Sequence, residues 1–134
     1  HTFADGIYVR EITIPANTVL TGRIHKHDHP NFLLKGVVEV ITEEGGHQTL
    51  VGPCSMISPK HTKRALKCYT EVVWVTVHLN LSNTRDIEQL EDEIAVDNYE
   101  DLKCSLWKKI KKWIREQIHI WKMEKASRDG LVSN

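Results

Sequence analysis

Through its first eighty residues the chain never sustains one pattern for more than about eight positions before proline, glycine or asparagine interrupts it. A chain cut this often has no room for long helices and must fold as many short strands. Gly6–Ile14 shows the period, with Tyr8, Arg10, Ile12 and Ile14 opposed to Ile7, Val9, Glu11 and Thr13, the two-residue alternation of a strand. Pro15-Ala16-Asn17 then turns the chain, and Thr18–His27 reads as the second strand. Segments 30–34, 36–42, 47–51, 55–58, 64–69 and 72–79 follow, with Glu43-Glu44-Gly45-Gly46 as a hairpin turn. Strands this short and this regularly punctuated predict an all-β sandwich or barrel over residues 1–81.

The period changes after Asn80. Ser82 or Asn83 can cap a helix over residues 84–95, acidic at its start, where the helix dipole favours negative charge. Asn98 can cap a longer helix over 99–126. One face of it carries Leu102, Leu106, Trp107, Ile110, Trp113, Ile114, Ile118, Ile120 and Trp121. The other carries Lys108, Lys109, Lys111, Lys112, Arg115, His119 and Lys122, a strongly amphipathic arrangement. Residues 82–134 are thus expected to be a helical extension. Three uses of the amphipathic helix compete: packing on the barrel or on a second copy, lying on a membrane surface, or meeting nucleic acid. Packing is favoured and dimerisation through this helix is the working expectation; zero net charge and the lack of a recognised motif speak against nucleic acid.

At 134 residues the chain suits one domain with an appendage. The zero net charge hides segregation: residues 1–80 carry +1, residues 81–100 carry −6 and residues 101–134 carry +5. Oppositely charged neighbours favour folding against each other or against a symmetry mate. No apolar run approaches the roughly 20 residues of a membrane span, and no secretory signal pattern is present. Cys54, Cys68 and Cys104 form neither a paired framework nor a C-x-x-C spacing. Reduced thiols and a cytoplasmic location are expected.

The chemistry is concentrated in Gly22–Gly36, GRIHKHDHPNFLLKG. Residues two apart on a strand point the same way, so His25 and His27 project together. Two imidazoles on one face, joined by a ligand from another strand, suit iron, manganese, nickel or zinc. His78 can supply the third, because Trp74, Thr76 and His78 share a strand face. His29 continues the parity of His25 and His27 only if His29-Pro30 leaves the strand unbroken, and proline argues that it does not.

These residues resemble the first motif of the cupin superfamily: a glycine, an H-x-H pair, a glutamate a few residues on, and a glycine that begins the next strand. Gly22, His25, His27 and Gly36 match it, followed by Val37-Val38-Glu39-Val40, while Asn31 falls near the glutamate position. The second motif is a glycine, a short apolar strand, P-x-G and a histidine. Gly52 and Pro59 match it, His61 stands at its glycine and Arg64 at its metal histidine. The resemblance spans about residues 6–80 and is most similar to small stand-alone cupin-like proteins of tailed bacteriophages, which would place the protein in the host cytoplasm. It implies a double-stranded β-helix, or jelly-roll barrel, to which the residue pattern after Asn80 adds two helices.

The resemblance also implies a metal enzyme when three histidines and a glutamate are present, and this chain departs from that set. The basic run Lys60-His61-Thr62-Lys63-Arg64, with Arg23 and Lys26, places cations where cupins line the barrel mouth. Arginine grips phosphate or carboxylate with paired hydrogen bonds, so an anionic, phosphorylated or nucleotide-like ligand is expected. Arg23, Lys26, Asn31, His61, Lys63 and Arg64 are its candidate contacts, with Tyr69 and Trp74 as stacking surfaces. A ligand-capturing protein, for a phage one that sequesters a host signal or metabolite, is the first reading. A metal-dependent oxygenase, isomerase or lyase is the second, and an assembly protein acting through its helix the third. No Gly-rich phosphate loop or nucleophile elbow is present to separate them.

Overall fold

The computed structural model describes residues 1–44 and 46–131, without the side chains of residues 105, 106, 108, 109, 121 and 124–131. The Leu106, Lys108, Lys109 and Trp121 positions of the helical wheel therefore lie outside the described side chains, and Gly45 of the hairpin turn lies outside the described residues.

Among the described residues eleven strands and two helices follow one another. They are β1 (Thr2–Ala4), β2 (Ile7–Ile14), β3 (Val19–Thr21), β4 (Ile24–His25), β5 (His29–Lys35), β6 (Val37–Thr42), β7 (His47–Val51), β8 (Cys54–Ser58), β9 (Arg64–Cys68), β10 (Val72–Leu79), α1 (Ile87–Ile94), β11 (Ala95–Val96) and α2 (Tyr99–Leu131). All strand pairs are antiparallel. One sheet has the order β1-β2-β10-β5-β8 and a second β3-β9-β6-β7, while β11 pairs with β4. This is the expected jelly-roll barrel with C-terminal helices. The chain divides into a compact unit, His1–Tyr99, and a second unit from Glu100 onward.

Strands β5 and β6 bury alternate residues. Ile14, Leu33, Val38, Val40, Leu50, Cys68, Val72 and Trp74 form a core between the two larger sheets, and Leu20, Cys54, Met56 and Leu66 pack against it. Gly36 makes the turn from β5 into β6 at a φ of +105°, a conformation open to glycine. A Cβ there would collide with the Glu71 carbonyl and lie 2.9 Å from Val72 Cγ2.

The segment predicted as one strand over 18–27 is two. β3 pairs with β9 through Val19–Lys67, Leu20–Leu66 and Thr21–Ala65, and Gly22-Arg23 then hands the chain to β4. Lys26 and His27 form a bend before β5 starts at His29. Pro30 remains within β5, paired with Ile57 of β8, while the ladder with β10 runs over Asn31–Lys35. Proline is tolerated there because it stands near the strand's start, beyond the central ladder.

Helix α1 begins later than predicted. Asp86, not Ser82 or Asn83, is its cap, accepting hydrogen bonds from the amides of Glu88 and Gln89. Asn80 and Asn83 instead tie down the preceding loop: Asn80 Nδ2 donates to the Thr84 carbonyl at 2.9 Å and the Gly6 amide donates to Asn83 Oδ1 at 2.8 Å. All three cysteines are free thiols. Among the described residues no helix is long and apolar enough to cross a membrane.

Candidate functional site: a histidine-lined cavity in the barrel

Strand register builds the site in rows. Pairing of β10 with β2 sets His78 beside Tyr8, Thr76 beside Arg10 and Trp74 beside Ile12. Pairing with β5 sets Thr76 beside Asn31 and Trp74 beside Leu33, which carries His29 to the row of His78. His25 of β4 completes the group. The rings of His25 and His29 lie 4.1 Å apart, His25 and His78 4.9 Å, and His29 and His78 4.6 Å. One nitrogen from each falls within 4.8 Å of the others. His29 and His78 are buried.

Burial first, and then the neighbouring histidines and arginines, push the pKa of His25 down to about 3. Burial likewise takes His78 to about 3, with His29 and Arg10 adding to the effect. His29 is also lowered, chiefly by burial. All three imidazoles are therefore neutral near pH 7, the form that binds a metal.

The histidines open onto a cavity of about 310 Å³. Trp74, Ile14, Leu20 and Leu66 contribute its apolar wall, and Arg10, Arg23, Arg64 and Glu91 its charged part. Burial lowers the pKa of the Arg64 guanidinium, with no opposing carboxylate contribution. Arg64 takes part in none of the ion pairs found among the described residues. Thr76 Oγ1 is buried and has no hydrogen-bond partner among the described residues.

Of the residues expected here, His25, His78, Arg23, Asn31, Arg64 and Trp74 line this cavity. His27 does not join the histidine group; His29 stands in its place. His27 lies in the bend at 26–27, outside both β4 and β5, and is exposed, so strand alternation does not direct its side chain toward the group. Asn31 is inside but fully engaged. Its Oδ1 accepts from Trp74 Nε1 at 2.9 Å, and its Nδ2 donates to Ser58 Oγ at 2.5 Å and to the His29 carbonyl at 3.1 Å. That network sets the rim of the core under the histidines, and Trp74 is a core residue, 5% exposed, rather than a free stacking platform.

Lys26, His61, Lys63 and Tyr69 are not among the cavity-lining residues. The Lys26 ammonium meets the Asp92 carbonyl, and Lys63 Nζ donates to the Asp97 carbonyl at 2.6 Å. The His61 amide donates to the His25 carbonyl at 2.8 Å, with His61 itself at a φ of 62°. Tyr69 points away from the barrel interior and donates its hydroxyl to Glu39 Oε2 at 2.8 Å. Three of these cations, Arg23, Lys26 and Lys63, are thus engaged with the acidic segment 91–97. Arg23 Nε donates to Asp97 Oδ1 at 2.9 Å and its Nη2 to Asp92 Oδ1 at 3.4 Å.

Sequence reasoning missed Arg10, Glu91 and Tyr8 as members of the site. Arg10 had a signal, since it shares its strand face with Tyr8, Ile12 and Ile14, where a charge is out of place. Tyr8 is fully buried and its ring stacks on His78 at 6.0 Å between centroids. Glu91 had none, because its place depends on where α1 docks.

No protein-family profile matches this chain, and no curated protein matches it. Among solved structures, a Neisseria meningitidis protein is similar at 16% identity and a TM-score of 0.52, over 59% of this chain and 79% of that one. A cupin-2 domain protein of Shewanella frigidimarina is similar at 9% identity and a TM-score of 0.50, over 59% and 76%. A cupin superfamily protein of Desulfitobacterium hafniense is similar at 13% identity and a TM-score of 0.50, over 58% and 71%. At these identities the likeness is one of fold. The chain has a cupin-like barrel fold, and the barrel holds a candidate site for a small molecule or a metal ion.

Proposed function

We propose that the barrel binds a small anionic molecule at a divalent metal centre held by His25, His29 and His78. The observation that carries this reading is the convergence of three neutral imidazoles, their nitrogens within 4.8 Å of one another, in a cavity that also contains the unpaired Arg64 guanidinium. The donor set fits a first-row ion: imidazole suits iron, nickel and zinc, and three protein ligands leave coordination positions open. Such an ion, once bound, acts as a Lewis acid toward a ligand oxygen. The chain's own residues do the rest. Burial keeps the imidazoles unprotonated, Asn31 and Ser58 hold the His29 end of β5, and Arg64 pairs with the acidic group of the ligand.

The cavity volume lies at the lower end of ligand pockets, which run from roughly 300 to 1,000 Å³. That favours a compact carboxylate or phosphate over a whole nucleotide. Among the described residues Glu91 is the one carboxylate lining the cavity, and it faces Arg10 and Arg23. Among the described residues no carboxylate stands unpaired in the cavity as a general base, which favours capture of the ligand over its turnover.

Titration of metal-stripped protein with Mn(II), Fe(II), Ni(II) and Zn(II), followed by elemental analysis after gel filtration, tests the metal. One equivalent retained per chain is expected. Less than a tenth of an equivalent of every ion would reject the centre. Phosphate should then raise the melting temperature of the metal-loaded protein and leave that of Arg64→Gln unchanged.

A further inference from the structure

The mouth of the cavity carries a positive element that the histidine centre does not use. Arg10 lines the cavity from β2 together with Tyr8, Ile12 and Ile14. A guanidinium offers five donors, yet the acid facing this one, Glu91, holds its Oε1 3.6 Å from Arg10 Nη1. The other oxygen, Oε2, is 3.8 Å from Arg23 Nη1. Both separations exceed hydrogen-bond reach, so Glu91 rests between two arginines by charge alone.

The rest of the capping segment does not depend on that carboxylate. Asp97 and Asp92 take the hydrogen bonds of Arg23, and Lys63 holds the Asp97 carbonyl. The Lys26 amide donates to the Ile94 carbonyl at 2.8 Å, and Ala95 and Val96 pair with His25 and Ile24. Glu91 can turn aside while the segment stays docked, and part-exposed ion pairs of this length are weak enough to exchange. Arg10, Arg23 and Arg64 all line this one cavity, so a single small molecule held there can meet Arg64 at one end and the Arg10–Arg23 pair at the other.

We propose that Arg10 and Arg23 form a second anion subsite at the cavity mouth, with Glu91 as its internal occupant. The ligand is then a dianion, a dicarboxylate or a phosphorylated or phosphonylated carboxylic acid, whose second acidic group displaces Glu91. This rests on the small-anion reading, in which Arg64 takes the first acidic group.

The test is calorimetric binding of three matched pairs to metal-loaded protein: succinate against butyrate, glutarate against pentanoate, and phosphonoacetate against ethylphosphonate. In at least one pair the dianion should bind more tightly. Glu91→Gln should strengthen that dianion about fivefold and leave its monoanion unchanged, a change on the scale of one part-exposed ion pair. Arg10→Gln should erase the dianion's advantage, with thermal melts verifying that both variants are folded. Equal binding of dianions and monoanions, or weaker dianion binding by Glu91→Gln, overturns the second subsite and leaves the small-anion reading standing. No binding of any anion to any of the three proteins overturns both.

Discussion

At the scale of single residues, the histidine group couples stability to pH. In the unfolded chain a histidine titrates near pH 6.5, whereas burial keeps His25 and His78 neutral in the fold down to about 3. Between those values the unfolded chain binds more protons than the folded one, so stability falls as the pH is lowered from about 6.5 toward 3. Urea midpoints of metal-free protein should decline steadily across that window, and His78→Gln should flatten the decline. The same geometry separates two neighbours that the sequence makes look alike. His29→Ala should weaken metal binding by about a hundredfold or more, given that loss of even an outer-shell partner costs 10- to 100-fold. His27→Ala should leave it unchanged, as read by calorimetry with Zn(II). Equal losses for the two variants would mean that the bend at 26–27 does not separate their roles.

Elements position these residues through a few constrained joints. Gly36 lets β5 pass into β6 where any side chain would strike the Glu71 carbonyl and Val72. Gly36→Ala should therefore destabilise the barrel by on the order of 2 kcal/mol, since both the positive φ and the close approach oppose it; equilibrium unfolding in urea measures this. β11 is only two residues long, yet it pairs with the strand that carries His25. Its docking draws on the contacts of Arg23 and Lys63 with Asp97. Asp97→Asn should cost global stability less than about 1 kcal/mol, because the pair is part-exposed. It should nonetheless speed amide exchange across residues 91–97, as read by hydrogen–deuterium exchange.

At the scale of the whole molecule, every residue assigned to the site lies within the unit His1–Tyr99. A chain ending at Tyr99 should therefore retain one metal ion with the affinity of the full chain. Helix α2 carries Trp107, Ile110, Trp113, Ile114, Ile118 and Ile120 as exposed residues. Assembly through this helix remains our proposal from its amphipathic sequence. Light scattering should give twice the chain mass for the full protein and a single-chain mass after truncation at Tyr99.

The sequence by itself determined the barrel. Alternation and turn residues are local signals, and they located β2 to β10 as eight segments, β3 and β4 read as one, together with both helices; Gly22, His25, His27 and Gly36 pointed to the cupin fold. β1 and β11 escaped because strands of two or three residues carry too little periodicity to stand out. What only the tertiary structure decided is which histidines meet. His27 and His29 have the same parity on paper, and a bend of two residues, set by how β4 and β5 pair with different partners, sends one outward and brings the other beside His78. Tertiary structure also decided the role of the charges. A basic run in sequence looks like an open anion site, but docking of α1 and β11 commits Lys26, Lys63 and most of Arg23 to an acidic segment nearly seventy residues away in the case of Arg23 and Asp92. That leaves Arg64 and Arg10 facing the cavity, because the charge a side chain presents depends on which partners the fold brings to it.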